Sequence, residues 1–402
     1  MRMRTALKLS ILMVMVCAAP FIVMAQRPHT KTLKRIPDTG QNGDFTTVPG
    51  EDSDVKIGTP VYFVQQDIVI DTVTGLMWQR TDGGEMAWEK GASYCEALTL
   101  GGFSDWRMPT SQELFTIQDL GRKNPALPEA FTNTGAEYWY SSDVLVGDAT
   151  RVFATNAGGG IGPHPKNETI PSGGTKKFHV RAVRAMQPPV NLPVHFTDMG
   201  ADLVRDNATE LVWQQYCHPV ALTWEDALRV ADTLTLGGFT DWRMPNIKEL
   251  HTIREQQEKG PCVDLLYFPC VASTSTLWSS TTLISQNNDQ AWTMKSDLGV
   301  ITYDKKSLKM KLLCVRGGSP DVTSVDDEEQ QPELGLYPNP ASGLVALPIG
   351  TVRATLYDVT GAAVLTSAHA QNIDVSWLAA GSYYCVHVDA YQQVRTTPLI
   401  KR

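Results

Sequence analysis

The sequence predicts an α+β protein: two tandem copies of one unit of helices and strands, followed by a small all-β sandwich. Three observations predict it. Residues 98–109 read LTLGGFSDWRMP and residues 234–245 read LTLGGFTDWRMP, differing only at Ser104 and Thr240. A copy that close means duplication of a folded unit, and the period is far too long for a solenoid, so each copy is expected to carry its own core. Landmarks also recur in order around the copies: Asp71-Thr72-Val73-Thr74-Gly75-Leu76-Met77-Trp78-Gln79 and Asp206-Asn207-Ala208-Thr209-Glu210-Leu211-Val212-Trp213-Gln214, Trp88 and Trp224, Tyr140-Ser141-Ser142 and Trp278-Ser279-Ser280, Val183-Arg184 and Val315-Arg316. Finally, residues 334–402 alternate apolar and polar residues between turn signals at Asn339-Pro340, Thr360-Gly361 and Ala380-Gly381, which is antiparallel β patterning.

The elements follow in order. Arg2, Arg4 and Lys8 precede an apolar run, Leu9 to Met24, and a small Ala25, so residues 1–25 read as a secretory signal peptide. Residues 26–59, rich in Pro, Gly, Thr and Asp, read as an extended arm. The first repeat spans 60–187, a proline-stiffened linker follows, and the second repeat spans 194–318. Residues 319–333, with Asp326, Asp327, Glu328 and Glu329 in a row, read as a solvated acidic linker to the sandwich at 334–402. No later segment approaches the apolar length of a membrane-spanning helix.

Within each repeat the pattern reads strand, turn, strand, helix, loop, helix, long loop, strands. The first helix carries Trp88, Ala92 and Cys95, with Leu98 and Leu100 near its end, and is expected to stop at Gly101-Gly102. Thr223 and Asp226 have capping spacing in the second copy. The next helix starts at Thr110, with Glu113 three residues on, or at Asn246 with Glu249. Each pair can satisfy first-turn amides and the cap's own N–H reciprocally.

Composition is ordinary for a globular chain of 402 residues, with 42% hydrophobic residues, and the net charge of −8 speaks against a general nucleic-acid binder. Export permits disulfides among Cys95, Cys217, Cys262, Cys270, Cys314 and Cys385. Cys262 and Cys270 flank one short loop and are the preferred bridge. For the remainder two pairings stay open: Cys217 with Cys314, preferred because first and last strands often pair, or Cys95 with Cys314 stapling the copies. No cysteine or histidine spacing suits zinc. Glu51, Asp52 and Asp54 cluster hard oxygens of the type calcium takes, against which stands the plainer reading of a solvated acidic loop, and no cofactor is expected.

The assembled motifs resemble two known families. Each repeat is similar to the Lcl C-terminal-like domain, through Thr74-Gly75-Leu76-Met77-Trp78-Gln79, Trp88, Gly101 to Pro109, Glu113-Leu114 and Val180-Arg181-Ala182-Val183-Arg184. In the second copy the matching residues are Leu211-Val212-Trp213-Gln214, Trp224, Gly237 to Pro245, Glu249-Leu250 and Cys314-Val315-Arg316-Gly317-Gly318. The resemblance implies a C-type-lectin-like fold and surface proteins that bind sulfated polysaccharide. The second copy departs at Glu210, where the first has Gly75, so its hairpin turn is expected to differ. The tail resembles the type IX (Por) secretion sorting domain, through Leu336-Tyr337-Pro338-Asn339-Pro340, Leu356-Tyr357-Asp358-Val359-Thr360-Gly361 and the closing Lys401-Arg402. This implies a β-sandwich of immunoglobulin type, passage across an outer membrane, and a place on the cell surface or outside the cell.

For function, Arg107 with Glu113 and Arg243 with Glu249 read as hydrogen-bonded pairs fixing the helix starts. Trp106 and Trp242 read as core, and Trp78, Trp88, Trp213, Trp224, Asp105 and Asp241 as part of the same structural motif. Ser141, Ser142, Ser279 and Ser280 have no matching histidine, so no hydrolase triad is supported and no enzyme is expected. The candidate binding surface is basic. Lys305, Lys306, Lys309 and Lys311 approach Arg316, with Leu308, Met310 and Leu312 turned to the core, and Lys176, Lys177, His179 and Arg181 lie at the corresponding place in the first copy. Such edges suit an anionic glycan, while lysines guarding a strand edge are the plainer alternative. The loops Ala157 to Thr175 and Ser273 to Asn288 differ most and are expected to set ligand choice. The expected protein is an adhesin for anionic polysaccharide. The alternative is a structural envelope protein that binds another protein.

Overall fold

A computed structural model describes residues 28–166, 178–318, 336, 339–348, 351–368, 372–389 and 394–402. The expected signal peptide, Lys176, Lys177 and the acidic linker lie outside the described residues.

Each repeat opens with a three-stranded antiparallel meander, a pattern set by alternating apolar residues and tight turns. In the first repeat the strands are Tyr62–Gln65, Ile68–Asp71 and Leu76–Gln79, and Val183–Ala185 returns to pair with the last. In the second they are Phe196–Gly200, Leu203–Asp206 and Val212–Gln214, joined by Val315–Arg316. The turn at Glu210 does not differ from that at Gly75. Both residues take positive φ, +66° and +73°, and both amides bond back to the aspartate four residues earlier. The second repeat holds a side chain in a conformation that glycine adopts without strain.

Four helices follow: α1 (Trp88–Glu96), α2 (Ser111–Thr116), α3 (Trp224–Asp232) and α4 (Ile247–Thr252). Helices α2 and α4 begin with complete capping boxes, on Thr110 with Glu113 and on Asn246 with Glu249. Helix α1 stops earlier than its apolar pattern suggests, at Glu96. The glycine pair does not cap it. Gly101 and Gly102 both have positive φ and turn the chain between Leu100 and Phe103, which bond to each other. Gly237 and Gly238 do the same between Leu236 and Phe239. Two consecutive positive-φ residues make the tight hairpin that a right-handed twist favours.

The repeats are not two separate bodies. Their remaining strands form one seven-stranded sheet, in the order Thr276–Thr282, Gln290–Lys295, Val300–Lys305, Ile161–Pro165, Asp148–Asn156, Tyr138–Leu145, Phe178–His179. The seam is the pairing of Ile301 with Ile161. Each repeat keeps buried clusters of its own, and one further cluster is shared: Phe115, Phe153 and Ile161 of the first repeat pack with Trp213, Phe268 and Trp292 of the second. The stretch 276–282, expected within a variable loop, is buried sheet.

The arm is not a free extension. His29–Lys31 pairs with Val190–Leu192 of the inter-repeat linker, Leu33 and Ile36 enter the first repeat's core, and Val48 enters the second's. The tail forms a four-stranded antiparallel sheet, in the order Ala363–Ala368, Thr351–Tyr357, Gly381–Asp389, Val394–Lys401. A two-stranded sheet, Leu344–Ala346 with Asn372–Asp374, accompanies it, and both enclose a core of their own around Leu356, Ile373 and Leu399.

One disulfide is present among the described residues, and it is none of the three bridges weighed from the sequence. Cys217 pairs with Cys270, their Cα atoms 5.6 Å apart. Cys262 is a fully buried free thiol whose amide donates to Ser296 O and whose carbonyl accepts from the Glu255 amide. Cys314 lies in a different core cluster from Cys217, and Cys95 in a third, so neither alternative pairing can close.

Candidate functional site

The repeated motif builds structure. Arg107 Nη1 and Nη2 donate to Glu113 at 2.8 and 2.6 Å, and Arg243 donates to Glu249 at 2.7 Å through each nitrogen. The same glutamates accept from the cap amides of Thr110 and Asn246, so each carboxylate serves as cap partner and as ion pair. Asp105 holds Arg184 and Asp241 holds Arg316, tying the motif to the last strand of its repeat. Trp106 and Trp242 are buried, and Trp88 Nε1 and Trp224 Nε1 donate to the carbonyls of Ser141 and Ser279. The serine hydroxyls are occupied too: Ser141 donates to Phe153 O and Ser279 to Trp292 O.

The basic residues chosen from the sequence scatter. Arg181 is fully buried, donating to the carbonyls of Gln79 and Thr132 and facing Asp82, so it belongs to the core of the first repeat and not to a binding edge. Burial pushes its guanidinium down to about 10, with Asp82 opposing, and it stays charged at neutral pH. Lys306 lies 3.8 Å over the Trp224 ring, as Lys166 lies 4.0 Å over Trp88. That contact occupies it as a local cation–π partner. Lys309 and Lys311 are not on a regular strand: the last described strand before them ends at Lys305, and Leu308 is exposed where a core residue was expected. Lys305 and Lys309 remain open to solvent and Lys311 is half-buried.

The acidic trio of the arm is likewise spent on structure. Glu51 accepts from Gln41, from the Phe45 amide and from the Thr282 hydroxyl. Asp52 Oδ2 accepts from Thr39 at 2.7 Å and from Thr281 at 2.6 Å. Asp54, exposed, accepts from the Gly50 amide. Thr281 in turn accepts from the Ile247 amide at the start of α4, the position where the first repeat uses Asp143 on Ser111. Burial, then the charge of Asp38, raises the Asp52 carboxyl to about 7. Among the described residues no group of three or more metal-ligating side chains converges.

Sequence reasoning missed the cationic site that the fold does assemble. The arm passes beside the 209–211 turn of the second repeat and leaves a cleft of about 360 Å³ lined by Lys31, Lys34 and Arg35, with Glu210, Glu249 and Gly318 opposite. Glu249 is already paired with Arg243, and Lys31, Lys34, Arg35 and Glu210 are the other charged residues of the lining, on a protein of net charge −8. The run Lys31-Thr32-Leu33-Lys34-Arg35 carries that signal in the sequence, but nothing local to it shows that the arm folds back against the second repeat.

The comparisons with known proteins agree with this architecture. Residues 67–184 and 202–316 each match the Lcl C-terminal domain, and residues 335–402 match the secretion system C-terminal sorting domain. No curated protein matches the chain. The sorting domain makes this an exported protein, handled by type IX secretion, and among the described residues no helix is long and apolar enough to cross a membrane. With two matched copies filling more than half of its length, the chain belongs to the Lcl C-terminal domain family.

Proposed function

We propose that the protein is a non-enzymatic adhesin of the cell surface or its surroundings that holds an anionic polysaccharide in the arm cleft. On this reading each repeat is a C-type-lectin-like module, and the tail is an immunoglobulin-like sandwich that serves delivery. The observation that carries the reading is the convergence of Lys31, Lys34 and Arg35 on one cleft of an otherwise acidic chain. A sulfated or carboxylated glycan presents fixed negative charges at sugar spacing, and a cluster of flexible and forked cations answers that chemistry. The occupied serine hydroxyls and the structural use of Arg107, Glu113 and their copies support a role without catalysis.

The test is retention of the full chain on a sulfated-glycan column at low and at physiological salt. Substituting Lys31, Lys34 and Arg35 with alanine should advance elution strongly, and a Lys305→Ala/Lys309→Ala variant should advance it little. Screening of such contacts predicts weaker retention as salt rises. If the wild-type chain is not retained at either salt, the reading fails and a protein partner takes its place.

A further inference from the structure

Gln118-Asp119 after α2 and Arg254-Glu255 after α4 stand at matching places, the same distance past the capping glutamates Glu113 and Glu249. The second repeat occupies its pair. Arg254 donates to Ser111 Oγ at 3.3 Å and lies 3.9 Å over the Phe153 ring, so it serves the contact between repeats. Glu255 Oε1 lies 2.6 Å from His195 Nδ1, and His195 Nε2 lies 3.5 Å from Asp206 Oδ1. Burial opposes the charge of that ring, but the hydrogen bonds to Asp206 and Glu255 outweigh burial and hold it up at about 9.

The first repeat leaves the matching place open. Gln118 and Asp119 line a cleft of about 280 Å³ between the end of α2 and the arm. Gln118 is 1% exposed, and neither the oxygen nor the nitrogen of its amide has a hydrogen-bond partner among the described residues. Asp38, from the arm, is 2% exposed; its Oδ1 accepts from the Gly40 amide and its Oδ2 is unmet. These buried groups share the cleft with Asn42 and Thr59, which are open to solvent. A buried amide with donor and acceptor both unmet is costly in a protein interior, and native structures rarely carry one.

Charge in the cleft is already balanced. Of the lining residues, Asp38 and Asp119 are acidic and Lys56 is basic, approaching Asp38 Oδ1 at 3.9 Å. The buried Lys248 ammonium supplies the second positive charge, acting on both carboxylates. A free ion of either sign therefore gains little here. What the cleft offers is hydrogen bonding of both polarities: Gln118 Nε2 as donor, Gln118 Oε1 and Asp38 Oδ2 as acceptors. Beside them lie the apolar surfaces of Pro60, Tyr62 and Pro128. A hydroxyl both donates and accepts, and hydroxyls on neighbouring carbons can answer the side-by-side oxygen and nitrogen of one amide. A mostly apolar wall with a few placed polar groups is the usual build of a small-molecule site.

We propose that this cleft binds a neutral sugar, a vicinal pair of its hydroxyls meeting the Gln118 amide, another hydroxyl donating to Asp38 Oδ2, and its C–H face against Tyr62. The site shares no lining residue with the basic arm cleft and does not depend on it.

The test is calorimetric titration of the full chain with glucose, galactose and mannose, at low and at high salt. Saturable binding of at least one of them is expected, with an affinity that salt leaves unchanged. A Lys31→Ala/Lys34→Ala/Arg35→Ala chain should bind it as the wild type does, whatever becomes of the anionic polysaccharide. Gln118→Leu, close in volume, should weaken binding at least tenfold. Its ligand-free thermal midpoint should hold or rise, because an unmet amide gives way to an apolar group. Absence of saturable binding by all three sugars overturns the proposal and leaves the cleft to water. Wild-type affinity in Gln118→Leu overturns it too, as does loss of binding in the triple-alanine chain, which would place the sugar in the basic cleft. A lowered midpoint or failure to fold in Gln118→Leu also overturns it, since the amide would then serve the fold.

Discussion

Lys248, at the start of α4 in the second repeat, donates a hydrogen bond of 2.9 Å to the carbonyl oxygen of Thr116 at the end of α2 in the first, and another of 2.8 Å to Asp38 O of the arm. One buried ammonium thus ties together three segments far apart in sequence. Burial pushes it down to about 8, with the charges of Asp38 and Asp119 opposing, so it is mostly charged at neutral pH. Lys248→Met removes the donor for two carbonyls and the cation nearest several carboxylates. The expected loss is about 2–4 kcal/mol at pH 7, read from the urea midpoint, with faster protease cleavage in the arm.

The Asp52 carboxyl gives a pH signature. Its native value of about 7 lies above the ordinary 3.8, so the folded state binds its proton more tightly than the unfolded state. Stability from this group is complete below about pH 4 and is lost as pH rises through 7. The full excursion corresponds to roughly 4 kcal/mol as a ceiling. Asp52→Asn should flatten this part of the stability curve, measured by chemical denaturation across pH 4 to 8.

His195 adds a second fall at higher pH. Its native value of about 9 exceeds the ordinary 6.5, so its contribution is present in full below 6.5 and disappears as pH rises through 9. His29 stacks on it at 3.8 Å and is pushed down to about 4, by burial first and then by that charge, so it stays neutral throughout this range. His195→Gln should remove the alkaline loss, on the order of 3 kcal/mol, and NMR titration of the ring should report the raised value directly.

Glu210 holds φ at +66° where Gly75 does the same work at +73°. Glu210→Gly should relieve the side-chain strain and raise stability by about 0.5–1 kcal/mol, net of the extra freedom of the unfolded chain. A rise in the thermal midpoint checks it, and a fall would show that Glu210 contributes through contacts of its side chain.

The cysteines separate into two chemical classes. The Cys217–Cys270 bridge closes a separation of 53 residues, and Cys217→Ser/Cys270→Ser should cost about 4 kcal/mol by chain entropy. Cys95 and Cys314 are buried thiols pushed up by that burial to about 12. A thiol reagent should leave both unmodified in the native protein and label them after denaturation.

What the sequence made legible is what is written locally. The capping boxes at Thr110 and Asn246, the arginine–glutamate pairs and the buried tryptophans follow from residue types at short spacing. The Gly101-Gly102 pair was visible, but a helix end and a tight hairpin both ask for positive φ, and only the bonding of Leu100 to Phe103 chooses between them. The arm was illegible because its meaning is long-range: Asp52 finds Thr281 at a separation of 229 residues, and no local pattern encodes that partner. Arg181 misled for the same reason, since its charge reads as surface until Asp82 and the carbonyls of Gln79, Arg80 and Thr132 are brought around it. The cysteine pairing depended on long-range packing: Cys217 and Cys262 enter the same core cluster, and only the fold brings Cys217 against Cys270.

The seating of Glu51 and Asp52 against Thr281 and Thr282 also dictates the order in which the protein can be completed. The stretch around residue 51 precedes both repeats along the chain, yet its carboxylates meet the Thr281 and Thr282 hydroxyls only after residue 282 has taken its place in the sheet. Until then they have only the arm's own Gln41, Phe45 amide and Thr39 for partners. Contacts of such separation form late and slowly. The first part of the body to be threaded anywhere is therefore the last to be locked, and the arm works as a bolt thrown across two halves once both are in position.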